Sequence, residues 1–158
     1  MFREMTRSKQ QLSQEESIDI LRSEPRGVLS LQGDEGYPYG VPTNFWYNPE
    51  DGCLYFHSGK QGHKVDSIVR SRKASLCVCP PGFRKEGDWA LTFRSVIVFG
   101  RIEILEDFAF SMDTTRQLSL QFTQDAEYIR REIEAFGAET LCFRLVPEHI
   151  TGKRIREA

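Results

Sequence analysis

The longest strand pattern in the chain is Phe93-Arg94-Ser95-Val96-Ile97-Val98-Phe99-Gly100-Arg101-Ile102-Glu103-Ile104-Leu105. Side chains alternate between the two faces of an extended chain, so one face of this segment is apolar. That face carries Val96, Val98, Ile102 and Ile104. Gly100 interrupts the alternation and marks a bulge or a bend. The stretch therefore predicts a long β-strand, over residues 93–105, with one face turned to a core.

Five shorter strand patterns accompany it, at residues 28–31, 39–47, 53–57, 74–79 and 141–146, the last ended by Pro147. Turn sequences such as Asn48-Pro49-Glu50-Asp51-Gly52 separate consecutive strands and indicate hairpins, so the sheet is antiparallel. Six short strands without regular strand–helix alternation exclude a doubly wound parallel fold. They predict a closed or nearly closed barrel, which leaves few exposed edges.

Helices are predicted at four places. Ser13-Gln14-Glu15-Glu16 is a capping box, and the helix after it buries Ile18 and Leu21 and ends before Pro25. A second helix starts at His63, with Val65, Ile68 and Val69 on its apolar face. Residues 107–122 and 125–136 are helical, with Gly137 as the C-cap of the last.

Composition narrows the class of protein. The chain has 158 residues, which suits one domain over residues 1–158. Its 21 Lys and Arg against 23 Asp and Glu give a net charge of -2, which argues against nucleic-acid binding. No apolar run reaches the ~20 residues of a membrane helix, and the N-terminus does not read as a signal peptide. We expect a cytoplasmic protein without a membrane or nucleic-acid partner.

The four cysteines, Cys53, Cys77, Cys79 and Cys142, lie in apolar strand-like runs and predict reduced, buried thiols. Cys77-Val78-Cys79 has no second Cys or His pair at zinc spacing, so no metal site is predicted.

The sharpest local feature is Tyr55-Phe56-His57-Ser58-Gly59-Lys60-Gln61-Gly62-His63-Lys64. A strand enters a glycine-containing loop, and the loop opens a helix whose first N–H groups are free to bind an anion. Ser58, His63 and Lys64 add donors and a positive charge. The segment is either a phosphate cradle or an ordinary turn with a solvated lysine.

Two further segments carry candidate ligand contacts. Val41-Pro42-Thr43-Asn44 has a proline within a strand, which indicates an edge strand or a strand facing a planar ligand. Arg94 and Ser95 begin the long strand. A buried Arg94 would need a carboxylate or phosphate partner, whereas an exposed one would need none.

In order and spacing, several segments resemble the FMN-binding split-barrel family of pyridoxamine 5'-phosphate oxidase-like proteins, in its nitroimidazole-resistance-type branch. They are residues 5–22, Tyr37-Pro38-Tyr39-Gly40-Val41-Pro42, Tyr55-Phe56-His57-Ser58, Gly62-His63-Lys64, Phe93-Arg94-Ser95-Val96-Ile97-Val98-Phe99-Gly100 and Glu148-His149-Ile150-Thr151-Gly152-Lys153. The resemblance implies a mainly β (α+β) fold: a six-stranded antiparallel split β-barrel with flanking helices. No arginine-rich C-terminal segment of the vitamin B6 oxidases is present, so that activity is not expected.

The resemblance also implies cofactor contacts. Pro42, Thr43 and Asn44 would line the flavin ring, His57 and Ser58 would lie at its phosphate or ribityl end, and His63 and Lys64 would hold the phosphate. Ser95 would touch the cofactor, with Arg94 beside it. No residue is assigned a catalytic role, although His57 could donate a proton near the flavin.

The function implied is an FMN-dependent oxidoreductase acting on a small aromatic or nitro-type substrate. The flavin would lie at the interface of a homodimer, with Phe45, Trp46 and Phe99 as candidate interface residues. The alternatives are a non-catalytic flavin-binding protein and a haem-binding relative on the same barrel. A deazaflavin in place of FMN also stays open.

Overall fold

The computed structural model describes residues 1–157, which form one seven-stranded antiparallel sheet and four α-helices. The strands are β1 (Arg26–Gln32), β2 (Pro38–Asn44), β3 (Trp46–Tyr47), β4 (Leu54–Gly59), β5 (Lys73–Val78), β6 (Leu91–Ile104) and β7 (Thr140–Glu157). The helices are α1 (Gln14–Ser23), α2 (His63–Arg70), α3 (Phe108–Leu120) and α4 (Ala126–Phe136).

The sheet is curled into a split barrel. Its strand order is β2-β1-β5-β6-β7-β4-β3, so β2 and β3 form the two outer edges. Only Phe45 separates these two strands along the chain, and one residue spans about 3.5 Å. The two edges must therefore lie side by side. β2 contacts β4, but no backbone ladder joins them within residues 1–157, and this gap is the split.

The long strand β6 lies in the middle of the sheet, and its predicted apolar face turns to the core. Val96, Val98 and Ile102 are buried in the core, while Ile104 packs at its margin. The pairing of β6 with β7 shifts between Phe99 and Gly100, which confirms the predicted bulge. A Cβ at Gly100 would lie 2.2 Å from the carbonyl oxygen of Val146, so the two backbones approach more closely than any other residue allows.

The strand count was wrong by one, and the end of the last strand was also wrong. The predicted strand 39–47 divides at Phe45, where the chain crosses from one edge of the sheet to the other. The last strand does not end at Pro147 but continues to Glu157. Pro147 pairs with Gly100 at the bulge, where the ladder is already interrupted and the missing N–H costs little.

The predicted capping box starts α1. The Ser13 backbone N–H donates to Glu16 Oε2 at 2.9 Å, and the Glu16 N–H donates to Ser13 Oγ at 3.1 Å. Leu21 is buried as predicted, with Ile20 beside it, whereas Ile18 is only half-buried.

Gly137 is the C-cap of α4, as predicted, although its φ and ψ are right-handed and it begins a 3-10 turn. Two other local predictions need correction. Val69 of α2 is exposed and Ser67 is buried in its place, because eight residues bury only a narrow stripe. Phe45, expected at an interface, is fully buried in the core.

The thiols are only partly as expected. Cys53 and Cys142 are buried, Cys77 is half-buried, and Cys79 is exposed because β5 ends at Val78. Burial raises the pKa of Cys53 to about 11, so this thiol is inert at neutral pH. Across residues 1–157, no three side chains of metal-ligating type cluster together. No helix in that range is long and apolar enough to cross a membrane.

Candidate functional site

A groove of about 290 Å³ opens at the split of the barrel. Its lining residues come from three strands and are Arg26, Pro42, Thr43, Asn44 and His57. Arg26 and Asn44 face each other in the β1–β2 ladder, and the Arg26 Nε–H donates to Asn44 Oδ1 at 2.9 Å. The predicted strand Pro42-Thr43-Asn44 is thus an edge strand whose free side borders a concave, polar surface.

His57 lies across this groove, on β4. The residue is exposed to solvent, although it forms part of the wall of the groove. Burial lowers the pKa of His57, and the nearby positive charge of Lys64 lowers it further. The imidazole is therefore neutral at pH 7, and its unprotonated ring nitrogen can accept a hydrogen bond. The expected role as a proton donor at neutral pH is not favoured in this state.

The loop after His57 leads to the first turn of α2. Gly62 precedes the helix with a φ of 115°, a conformation that favours glycine. No side chain caps this helix start, so its first N–H groups are open to a ligand. A Cβ at Gly59 or at Gly62 would meet nothing within 4 Å, so the loop borders open space.

Lys64 adds a positive charge in the same first turn. It is half-buried, and within residues 1–157 it has no carboxylate within 4 Å and no side-chain hydrogen bond. Burial lowers the pKa of its ammonium group. The charged form of such a group is stabilised when an anion binds in the loop.

His63 and Ser58 make local contacts instead. The His63 ring stacks on Tyr39 at a centroid distance of 4.0 Å, and its Nε2 lies 3.6 Å from Asp34 Oδ2. Asp34 also pairs with Arg70. Ser58 Oγ donates to the carbonyl of Gly59 at 2.8 Å. His63 is thus oriented by Tyr39 of β2 and by Asp34, and Ser58 by the backbone of its own loop.

Arg94 and Ser95 are not brought to this groove. Arg94 shares the inner face of β6 with Val96 and Val98 and lines a separate cleft. Ser95 lies on the opposite face, paired with Lys153 of β7.

A second cavity of about 260 Å³ adjoins His57 on its other side, under α3 and α4. Thr115, Ser119, Tyr128, Phe136 and Thr140 are among its lining residues. These residues, and Arg26, were missed from the sequence. No local pattern indicates them, because the curl of the sheet brings them together from distant parts of the chain.

The outer face of the central strands is apolar and uncovered over much of its area. Val28, Ile97 and Phe99 have 40%, 38% and 40% of their surface exposed. Val28 pairs with Cys77 and Cys77 with Ile97, so Val28, Cys77 and Ile97 form one row across β1, β5 and β6. Phe99 lies on the same face, two residues along β6 from Ile97. Phe2 packs beside Phe99, at a ring-centroid distance of 5.6 Å, and stacks on His149 at 4.7 Å.

Residues 13–154 match the family model for pyridoxamine 5'-phosphate oxidase. A search of curated proteins found no significant match. The fold is similar to that of a candidate 5-nitroimidazole antibiotic resistance protein from Bacteroides thetaiotaomicron, at 20% identity and a TM-score of 0.76, over 93% of this chain and 87% of that one.

Two flavoproteins have similar folds. An FAD-binding protein from Mesorhizobium loti aligns at 22% identity and a TM-score of 0.69, over 92% of this chain and 96% of that one. An FAD- and haem-binding protein from Mycobacterium smegmatis aligns at 20% identity and a TM-score of 0.71, over 91% of this chain and 72% of that one. At these identities the likeness establishes a shared fold.

Proposed function

The chain belongs to the pyridoxamine 5'-phosphate oxidase family, and we propose that it is an FMN-dependent oxidoreductase of small electron-poor aromatic compounds. The observation that carries the proposal is the proximity of His57, in the split groove, to Lys64, in the uncapped first turn of α2. The groove that would bind the flavin ring is therefore next to the cationic helix start that would bind the phosphate.

The phosphate would bind at the start of α2. Free N–H groups at a helix N-terminus carry partial positive charge, and Lys64 supplies a full charge. Gly62 keeps this approach free of side-chain atoms. The local partners of His63 make it a weaker phosphate ligand than Lys64, because the Asp34 carboxylate faces its Nε2.

The ring would lie along the free edge of β2. Pro42 offers a flat apolar surface without an N–H, and Thr43 and Asn44 offer polar side chains and backbone groups. When bound, the flavin supplies the redox chemistry, and the protein provides orientation, electrostatics and exclusion of water.

The cavity under α3 and α4 is the place we propose for the substrate. It shares His57 with the split groove, so a guest there would lie next to the same imidazole. Its volume of about 260 Å³ and the aromatic rings of Tyr128 and Phe136 fit a small planar molecule. His57, neutral at pH 7, would accept a hydrogen bond from substrate or cofactor.

We propose that two copies associate through the outer face of the central strands. Val28, Ile97 and Phe99 are partly exposed apolar side chains on this face, and Phe99 was expected at an interface. Trp46 is half-buried against Tyr55 and lies on β3, outside the strands that form this face. A two-fold contact would bury Val28, Ile97 and Phe99 and wall off the groove from solvent.

Two other functions use the same barrel: non-catalytic flavin storage and haem binding. One similar structure is described as binding both FAD and haem. The visible spectrum of the purified protein separates these possibilities, because we expect flavin bands and no Soret band. A colourless protein that binds no FMN on titration would contradict the proposal.

The binding mode is tested by Lys64→Ala. We expect FMN affinity to fall by about 1.5–3 kcal/mol, the usual worth of a charge-assisted contact, with almost no change for riboflavin, which has no phosphate. Lys60→Ala, in the same loop but exposed, is the matched control and should change neither affinity. Equal losses for FMN and riboflavin would show that Lys64 does not contact the phosphate.

The activity is tested by anaerobic reduction of the FMN-loaded protein followed by addition of a nitroimidazole. We expect reoxidation faster than that of free reduced FMN, and a slower rate in His57→Ala. A rate equal to that of free FMN would mean that the protein binds flavin without serving this reaction.

A further inference from the structure

A basic cleft lies at the end of the β6–β7 ladder. Its lining residues and those of the split groove are different. Its volume is about 590 Å³, the largest of the cavities described, and α1 and the segment before it form the opposite wall. The cleft carries Lys9, Lys85, Arg94, Arg154 and Arg156, together with the ring of Phe83.

The charges of this cleft are not balanced. Arg94 and Arg154 are directly opposite each other in the β6–β7 ladder, an arrangement that is unfavourable for like charges. Arg154 pairs with Glu16 at 2.8 Å, and Arg156 pairs with Asp88 at 2.8 Å. Within residues 1–157, Arg94, Lys9 and Lys85 have no carboxylate within 4 Å.

Arg94 is the most informative of these groups. It is a half-buried residue on the inner face of β6, and within residues 1–157 its guanidinium has no ionic partner. A guanidinium in that setting is stabilised by a bidentate anion such as phosphate. The resemblance placed Arg94 beside the flavin, but its cavity shares no lining residue with the groove of Pro42 and His57.

One aromatic residue lines the cleft together with these cations. Phe83 has 50% of its surface exposed, and its backbone is fixed by two hydrogen bonds with Thr92, at 2.8 and 2.9 Å. An aromatic face held beside guanidinium groups suits a ligand with a planar ring at one end and phosphate at the other. The volume is within the range of pockets for ligands of that size.

We propose that this cleft binds an organic phosphate of nucleotide size, with its phosphates on Arg94 and the facing cations and its ring on Phe83. The proposal does not rest on flavin binding. It adds a second ligand site to the chain, on the inner side of the long β6–β7 ladder.

The test measures ADP binding to the protein by calorimetry, with and without added FMN. We expect ADP to bind at a site that FMN does not block, and Arg94→Gln to weaken it at least about tenfold, as for loss of a charge-assisted contact. Arg101→Gln is the matched control, because Arg101 lies on the same strand and pairs with Glu148 outside the cleft. Absence of ADP binding, or equal affinities of the two variants, would overturn the proposal.

Two further variants separate the parts of the ligand. The double variant Lys9→Ala with Lys85→Ala should weaken ADP severalfold and leave FMN affinity unchanged. Phe83→Ala should weaken ADP but not pyrophosphate. Displacement of ADP by FMN would assign the nucleotide to the flavin groove instead, and equal binding of ADP and pyrophosphate in the wild type would refute the ring contact.

Discussion

The two faces of the central strands differ sharply although they share the same backbone. On the inner face, Val96, Val98 and Phe56 have no exposed surface. On the outer face, Ile97 and Phe99, each adjacent in sequence to a core residue, are about 40% exposed. Both faces carry large apolar side chains, so the hydrophobicity of a residue alone does not distinguish a core position from an interface position. The curl of the sheet distinguishes them.

This difference predicts the largest effect for a core substitution. Phe56 stacks on Phe143 at a centroid distance of 5.1 Å, and Phe56→Ala should lower the free energy of unfolding by about 3–5 kcal/mol. Urea unfolding measures it. The loss should be the same at every protein concentration, because it belongs to the single chain.

Phe99→Ala is the matched control on the outer face. Its effect should depend on protein concentration if the outer face is a contact between two copies. A concentration-independent loss as large as that of Phe56→Ala would show that the outer face is part of the monomer's core.

The second prediction addresses the outer face directly. Ile97→Glu places a charge in the centre of the proposed dimer contact and should weaken self-association by about 2–4 kcal/mol, as for a central interface residue. Sedimentation equilibrium measures the mass. Val69→Glu, at an exposed position of α2, should leave the mass unchanged. A wild-type protein that is monomeric with FMN bound would refute the dimer.

The smallest effect concerns pH. Because the pKa of His57 is lowered in the folded protein, the unfolded chain takes up a proton first as the pH falls below about 6.5. The contribution of neutral His57 to the free energy of unfolding is therefore fully present above that pH. It decreases below that pH, until the pH passes the lowered pKa of the folded state. His57→Gln should make the loss between pH 7 and pH 5 smaller in urea unfolding, with pH 8 as the reference. An unchanged pH dependence would mean that His57 titrates alike in both states.

Local patterns were sufficient for much of the fold. The alternation of apolar residues in β6, the capping box at Ser13 and the hairpin turns each depend on residues close together in the sequence. The strand–glycine–helix order from Tyr55 to Lys64 could be predicted for the same reason. The break at Phe45 and the continuation of β7 beyond Pro147 could not be predicted, because each depends on a pairing partner elsewhere in the sheet.

The sequence by itself thus determined an antiparallel barrel and a glycine loop that presents a helix start. Only the tertiary structure decided which residues meet: it joined Arg26, Asn44 and His57 in one groove and placed Arg94 in another cleft. The physical reason is that periodicity assigns a side chain to a face of its own strand. The curl and register of the whole sheet then decide what that face meets.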